Sequence, residues 1–264
     1  MSNITDDDII YAAKVSKSAA EASRLLGINY KTYRLKAKAL GVFNTNQSGK
    51  GITKRNQRKY RVNDSIFDKV DSIEKAYWLG FIAADGSIVN NTLKFMLKAE
   101  DDNHLKRFIS FLESDYPVGY TDSHYKDAEG VNHYFKACYV KITSEHIVGA
   151  LAKFGIVQNK KYANIDFLAN IPVEYQTYFI CGLFDGDGSV GVYNNRKVIT
   201  IANNKLTSTH VYNILYNIGI RAYIRHMNNI DIIYISAADS IQKFYTIYKS
   251  SVTLDRKLKI LEST

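Results

Sequence analysis

Two short stretches of this 264-residue chain carry matching acids. Residues 77–87 read YWLGFIAADGS and residues 179–189 read FICGLFDGDGS. Superposing Gly80 on Gly182 also aligns Asp85 with Asp187, Gly86 with Gly188 and Ser87 with Ser189, at a constant offset of 102 residues. A single Asp-Gly after a helix is an ordinary turn, but two in equivalent positions mark an internal duplication. Gly80 and Ala84 are four apart, as are Gly182 and Gly186, so each helix presents a small-residue stripe along which another backbone can approach. Packing the two stripes together would set Asp85 and Asp187 side by side at matching helix C-termini. There each carboxylate faces the negative end of a helix dipole and repels its neighbour. A divalent cation relieves both penalties, and a hard, oxygen-liganded ion such as Mg²⁺ suits carboxylates combined with phosphate oxygens.

The elements that must position these acids repeat as well. Each motif helix passes at its glycine into a hairpin, Ser87–Lys98 turning at Asn90-Asn91 and Ser189–Ala202 turning at Asn194-Asn195. A helix follows (Asp102–Glu113; Leu206–Asn217), then two strands (Val118–Tyr125 and His133–Thr143; Arg221–Met227 and Ile230–Ser236), then another helix (Ser144–Phe154; Ser240–Lys249). Along the strands Leu93, Phe95 and Leu97 alternate with Lys94, Met96 and Lys98. Ile199 and Ile201 oppose Arg196 and Thr200, and Arg221, Tyr223 and Arg225 oppose Ala222 and Ile224. One face is therefore expected to be core and the other basic, suited to phosphate and major-groove base contacts.

At Trp78–Gly86 and Ile180–Gly188 the chain resembles the LAGLIDADG homing endonucleases: the glycine, the second acid and the final glycine of the nine-residue motif occur both times. The resemblance runs from about Phe67 to Glu262. It implies an α+β fold, a duplicated αββαββα unit with pseudo-two-fold symmetry in which the motif helices form the central interface and eight strands make a saddle over the DNA major groove. It also implies that Asp85 and Asp187 are catalytic, metal-binding acids, with Ala84 and Gly186 before them in the metal set and Mg²⁺ or Mn²⁺ as cofactor. The motif's first acid is Ala83 in one copy and Asp185 in the other, which leaves the essential second acid intact. The family also places a basic residue near the end of each half. Asn159-Lys160-Lys161 and Asp255-Arg256-Lys257 sit equivalently, making Lys161 and Lys257 the candidates, to within one residue because each run holds two cations. The activity implied is site-specific hydrolysis of both strands of a long, pseudo-palindromic DNA target by a monomer that needs no protein partner. An RNA maturase and a non-catalytic DNA-binding regulator on the same fold are the rival readings; the paired acids weigh against the regulator.

Charge separates the N-terminal region from the duplication. The net charge of +9 lies entirely within residues 1–63, which hold 13 Lys/Arg and 4 Asp/Glu, whereas residues 64–264 hold 22 of each. Thr5 can cap a first helix, a second spans about Ser18–Leu26 and breaks at Gly27, and a third spans Lys31–Leu40 and closes at Gly41. Ser23, Gly27, Ile28 and Tyr33 are spaced as in a helix-turn-helix. Asn29, Tyr30, Lys31, Thr32, Arg34 and Lys38 would then face outward as a recognition surface. Six cations, Lys50, Lys54, Arg55, Arg58, Lys59 and Arg61, fall within twelve acid-free residues that have little to insert into a lipid surface. The expected organisation is a helix-turn-helix region at 1–43, a basic linker at 44–66, a first LAGLIDADG half at 67–172 and a second at 173–264. The DNA-contact set is Lys31, Arg34, Lys54, Arg55, Arg58, Lys59, Lys94, Lys98, Arg196, Arg221, Tyr223 and Arg225.

Composition excludes several classes. Apolar residues are 46% and charged residues 23%, with 15 Gly and 2 Pro, as in globular proteins and unlike fibrous or disordered ones. Cys138 and Cys181 form no Cys-x-x-Cys pair, so a disulfide framework or zinc ribbon is not expected, and both should be buried thiols. No phosphate-cradling glycine loop or spaced histidine cluster is present. The acidic start, without an import or secretion signal or an apolar run long enough to span a bilayer, points to a cytoplasmic protein. The Met1 start and the absence of a His-Asn junction at the end point to a free-standing or intron-encoded protein rather than an intein.

Overall fold

The structure is a computed structural model that describes residues 4–43, 59–127, 129–159, 165–194 and 196–263. The chain forms two compact units, dividing between Lys59 and Tyr60.

The N-terminal unit is built from α1 (Asp6–Val15), α2 (Ala19–Leu25) and α3 (Tyr30–Ala39). Thr5 caps α1 in a reciprocal box: its hydroxyl accepts from the Asp8 N–H, and the Asp8 carboxylate accepts from the Thr5 N–H at 2.8 Å. Three acids in the first turn of α1 complement its positive end. Gly27 takes φ +64° after α2, a conformation that favours glycine. The small core of Ile9, Ala12, Ala19, Ala22, Tyr33 and Ala37 leaves Asn29, Tyr30, Lys31, Thr32, Arg34 and Lys38 exposed, as the spacing predicts.

The second unit begins earlier than residue 67, where the sequence places the end of the linker. The Arg61 N–H donates to Asp115, the Asn63 N–H donates to the Leu112 carbonyl at 2.9 Å, and Ile66 is buried. Residues 60–66 are therefore held by hydrogen bonds on the first half. That half continues through α4 (Ile73–Asp85), β1 (Ser87–Val89), β2 (Thr92–Lys98), α5 (Asp102–Phe111), β3 (Gly119–Lys126), β4 (Asn132–Thr143) and α6 (Glu145–Ala152). The second half repeats the order with α7 (Gln176–Asp187), β5 (Gly188–Tyr193), β6 (Arg196–Asn203), α8 (Lys205–Asn217), β7 (Tyr223–His226), β8 (Asp231–Ile235) and α9 (Ala238–Lys249), and adds α10 (Asp255–Glu262). The two antiparallel sheets are ordered β1-β2-β4-β3 and β5-β6-β8-β7. The fold is thus α+β and duplicated. Asn90 and Asn194 take positive φ at the two hairpin turns, where asparagine is tolerated.

Element ends shift by a residue or two from the sequence reading, and two differences have a visible cause. The strand expected over Arg221–Met227 shortens to Tyr223–His226, because the Arg221 N–H donates to the Ser240 hydroxyl and its guanidinium pairs with Asp239 at 2.7 Å. Helix α10 was not expected as a separate element; it buries Lys257 and Leu261 on one face.

The core runs unbroken through both halves, and its centre is the contact of α4 with α7. A Cβ placed on Gly80 would collide with the Phe179 carbonyl, and one on Gly182 with the Tyr77 carbonyl. Gly186 meets the Ala84 methyl further along the same seam. The helices touch backbone to backbone, so their C-terminal ends arrive together. Both cysteines are buried, and among the described residues no helix is long and apolar enough to cross a membrane.

Because each glycine faces backbone that cannot swing aside, Gly80→Ala and Gly182→Ala should each lower stability by about 1 to 3 kcal/mol or more, with Leu worse than Ala at both sites. Denaturant melts of the single variants check this; parent-like midpoints for both would show that the helices are not in backbone contact.

Candidate active site

The last residues of α4 and α7 are Asp85 and Asp187. Both are exposed, and both line one cleft of about 410 Å³ together with Ala84, Gly86, Ser87, Gln158 and Asn159. The sequence expectation that the two halves bring their acids together is met. Two carboxylates in one cleft, at the negative ends of two packed helices, constitute a site that favours a cation. Among the described residues no third His, Cys, Asp or Glu joins them, so a bound metal would complete its shell from backbone carbonyls, water or substrate oxygens.

A second cleft, of about 510 Å³, opens on the Asp85 side and is lined by Ser87, Lys94, Met96, Tyr120, Tyr139 and Lys141 among others. Lys94 and Lys141 are ladder partners in β2 and β4, so two ammonium groups stand on the face beside Asp85.

Behind Asp187 lies a buried polar cluster. Lys257, 2% exposed, donates from Nζ to the carbonyls of Phe184 (2.5 Å), Asp185 (2.9 Å) and Gly188 (2.6 Å), and lies 4.7 Å from the Phe184 ring. It places a cation on the C-terminal carbonyls of α7, against the negative end of that helix dipole. Burial lowers its pKa to about 8, against the opposing pull of Asp185. Asp185 is itself 1% exposed and accepts from the Tyr77 hydroxyl (2.5 Å), the Tyr248 hydroxyl (2.7 Å) and the Leu254 N–H (2.9 Å). Burial raises its pKa to about 6, while Lys257 and these three donors oppose the rise. Tyr77 comes from the first motif helix, so this carboxylate ties α4 to α7 and to the segment leading into α10. The first copy has Ala83 at the corresponding position, buried against the core.

The chain of contacts continues to His104, whose Nε2 lies 3.0 Å from the Tyr77 oxygen. Since Tyr77 gives its proton to Asp185, it accepts from Nε2–H. Nδ1 is then a bare acceptor, and it finds no partner among the described residues. Burial first, and Arg107 next, hold His104 neutral with its pKa lowered to about 3. Two further pairs join the halves: Arg256 with Asp101 at 3.0 Å and Arg107 with Asp255. Of the two adjacent cations in the second half, Arg256 therefore faces the first half and Lys257 faces the motif.

The other sequence candidates fall as follows. Lys94, Lys98, Arg196, Tyr223 and Arg225 lie on sheet positions that alternate with core residues, on the faces away from the helices, and Tyr223 stacks on Tyr234 at 4.9 Å. Arg221 lies off the sheet, exposed, in its pair with Asp239. Lys31 and Arg34 are exposed on α3, and Lys59 is exposed. Lys54, Arg55, Arg58 and Lys161 lie outside the described residues. The sequence reading missed Gln158, Lys141 and Tyr139 at the clefts and the anchoring by Asp185. Strand alternation would have found Lys141, which sits between buried Val140 and Ile142.

Asp185→Asn offers one acceptor oxygen to three donors and should cost about 2 kcal/mol or more in chemical denaturation, with no loss from the same change at a surface aspartate. The folded pKa of His104 lies below its unfolded value of 6.5, so the stability it contributes is full above pH 6.5 and is lost as pH falls toward 3. Between pH 6.5 and 4 the parent should lose up to about 1.4 kcal/mol per pH unit more than His104→Gln, in which Asp185 still titrates. Parallel stability curves would show that His104 is charged in the fold.

Comparison with known proteins bears on the fold. Residues 174–248 match the family described as LAGLIDADG-like domain. The ribonucleoside-diphosphate reductase NrdEB subunit alpha of Bacillus subtilis (strain 168) is 26% identical over 178 residues, and so is its counterpart in Bacillus phage SPbeta. The alignment covers 63% of this chain but only 16% of the reductase, so the chain spans a small part of the length of these curated relatives. The homing endonuclease I-WcaI, bound to its DNA recognition sequence, superposes with a TM-score of 0.52 at 18% identity, over 84% of this chain and 96% of that one. I-DmoI, solved with its target DNA in the presence of Mg, gives a TM-score of 0.45 at 19% identity, over 72% of this chain and 99% of that one. Residues 174–248 thus match a LAGLIDADG-like domain, and the two halves together have the LAGLIDADG fold.

Proposed function

We propose that the protein is a site-specific endonuclease that hydrolyses both strands of duplex DNA with a divalent metal. The observation that carries this reading is the convergence of Asp85 and Asp187, one from each half, in a single cleft at the ends of α4 and α7, with Lys94, Lys98, Lys141, Arg196 and Arg225 on the sheet faces opposite the core. One carboxylate serves each strand. Asp85 and Asp187, with the carbonyls of Ala84 and Gly186, would hold Mg²⁺ or Mn²⁺, which when bound supplies Lewis-acid stabilisation of a phosphodiester and an activated water. Lys257 acts as a positioning residue: its three hydrogen bonds fix the end of α7 and hence the aim of Asp187. Lys161 is the corresponding candidate in the first half. The sheets supply phosphate and base contacts through Lys94, Lys98, Arg196, Tyr223 and Arg225.

The N-terminal unit adds a further contact through Lys31 and Arg34 on α3, with the basic run that includes Lys54, Arg55, Arg58 and Lys59 following the backbone. The protein works as a monomer, since both acids come from one chain.

The test is incubation with a randomised duplex library in Mg²⁺ and sequencing of the cut ends. Asp85→Asn and Asp187→Asn should each lose double-strand cleavage while retaining binding. Parent-rate cutting of both strands by either variant would refute the assignment. Lys257→Met should slow cutting of one strand at least tenfold more than the other, measured with strand-specific labels. A chain beginning at Tyr60 should keep metal-dependent cutting but bind with a shallower salt dependence, each lost phosphate contact removing about 0.9 from the slope of log K against log salt. An unchanged slope would leave the N-terminal unit without a DNA role.

A further inference from the structure

The two halves differ in how far their strands reach from the acids. In the first half Ser87, Lys94 and Lys141 lie opposite one another beside Asp85. In the second, Ser189, Thr200 and Tyr234 occupy the same register positions beside Asp187. From Lys141 the β4 ladder runs back nine residues to Asn132, whereas from Tyr234 the β8 ladder runs back three, to Asp231. At about 3.3 Å per residue these reaches are roughly 30 and 10 Å. The last five residues of the longer arm, Asn132–Lys136, have no β2 partner and pair only with Asp122–Lys126. They form a two-stranded ribbon projecting past the edge of the sheet.

That ribbon is rich in exposed rings. Tyr134 is 78% exposed and Tyr125 56% exposed. Tyr125 stacks on His133 at 4.9 Å, and His124 lies 5.7 Å from Tyr134. Asp127 secures the tip by accepting from the N–H groups of Glu129 and Val131 and bonding His133 at 2.7 Å. A bare ribbon gains little from burial, so its rings stay exposed at a cost unless something covers them. It is continuous with the face that lines the Asp85 cleft, where Thr121 and Tyr139 precede Ser123 and Phe135 on the same side. Its width suits a major groove. Its charged side chains, Asp122, Lys126, Asp127, Glu129 and Lys136, nearly cancel, so it is suited to reading bases rather than to neutralising phosphates.

We propose, resting on the endonuclease reading above, that this ribbon occupies the major groove beyond the first half's share of the saddle, and that the DNA target is consequently asymmetric. The difference in reach of roughly 20 Å corresponds to about six base-pair steps at 3.4 Å each. The target is longer on the first half's side of the cut by that amount, and the extra positions are read by Tyr125 and His133, which share the face that lines the Asp85 cleft, whereas Tyr134 stands on the opposite face.

The experiment is a hydroxyl-radical footprint of the full chain, with Ca²⁺ present, on a duplex recovered from a randomised library. It is repeated with Tyr134→Ala, on the opposite face of the ribbon, and with the double variant Tyr125→Ala, His133→Ala. The double variant should lose protection and base preference over about six outer base pairs on one side only, with the cut position, the salt slope and the melting temperature unchanged. Tyr134→Ala should keep the parent's preference, and a loss equal to that of the double variant would overturn the assignment of the reading face. A footprint and base preference identical in parent and double variant would overturn the proposal while leaving the endonuclease reading intact. A salt slope that falls with the double variant would overturn the base-reading role. If the parent protects no duplex at all, both readings fail.

Discussion

Backbone contact between α4 and α7 is the constraint on which the rest of the structure depends. Glycines at positions 80 and 182 remove the Cβ atoms that would hold the helices apart, and each helix presses its glycine against a carbonyl of the other. Contact this close fixes the relative position of the halves far better than interlocking side chains, which have several rotamers. It also determines where the two C-termini end. Asp85 and Asp187 therefore share a cleft because of what happens a turn or more earlier in each helix, and each sheet begins immediately after its acid, so strand register and acid placement derive from one contact.

Bringing two helix C-termini and two carboxylates together concentrates negative potential, and in the second half a buried cation offsets it. In the second half Lys257 is buried against three carbonyls, and Asp185 gathers three donors from α4, α9 and the Leu254 backbone. The first half has an alanine where Asp185 stands. The duplication therefore keeps the second acid and the glycines of the motif in both copies, while the first acid occurs only in the second. Divergence shows in the sheets too: β3 and β4 run well past β2, whereas β7 and β8 stop level with β6.

What the sequence disclosed follows from which interactions are local. The motif helices, the Asn-turn hairpins, the Thr5 cap and the Gly27 break are determined by residues within a few positions of one another, and all appear as expected. Alternation on β2 identified Lys94 and Lys98 because a strand's faces differ by one residue. The sequence gives no sign of the anchoring role of Asp185, because its partners Tyr77 and Tyr248 lie 108 and 63 residues away. The overhang of β3 and β4 escaped for the same reason, since it depends on where β2 stops. Helix α10 is short and rich in lysine, and it becomes recognisable only when Lys257 is seen to point inward. Arg221 fitted the strand pattern until Asp239, 18 residues on, captured it.

On the proposed reading, Asp85 and Asp187 jointly build a divalent-cation site in the cleft they share. The most direct test is Mn²⁺ binding, followed by electron paramagnetic resonance, to the protein held on a selected duplex. Mn²⁺ should be bound by the parent complex, weakened by either single Asp→Asn change and absent from the double variant, with DNA affinity retained. Equal Mn²⁺ occupancy in the parent and in the Asp85→Asn, Asp187→Asn double variant would contradict it.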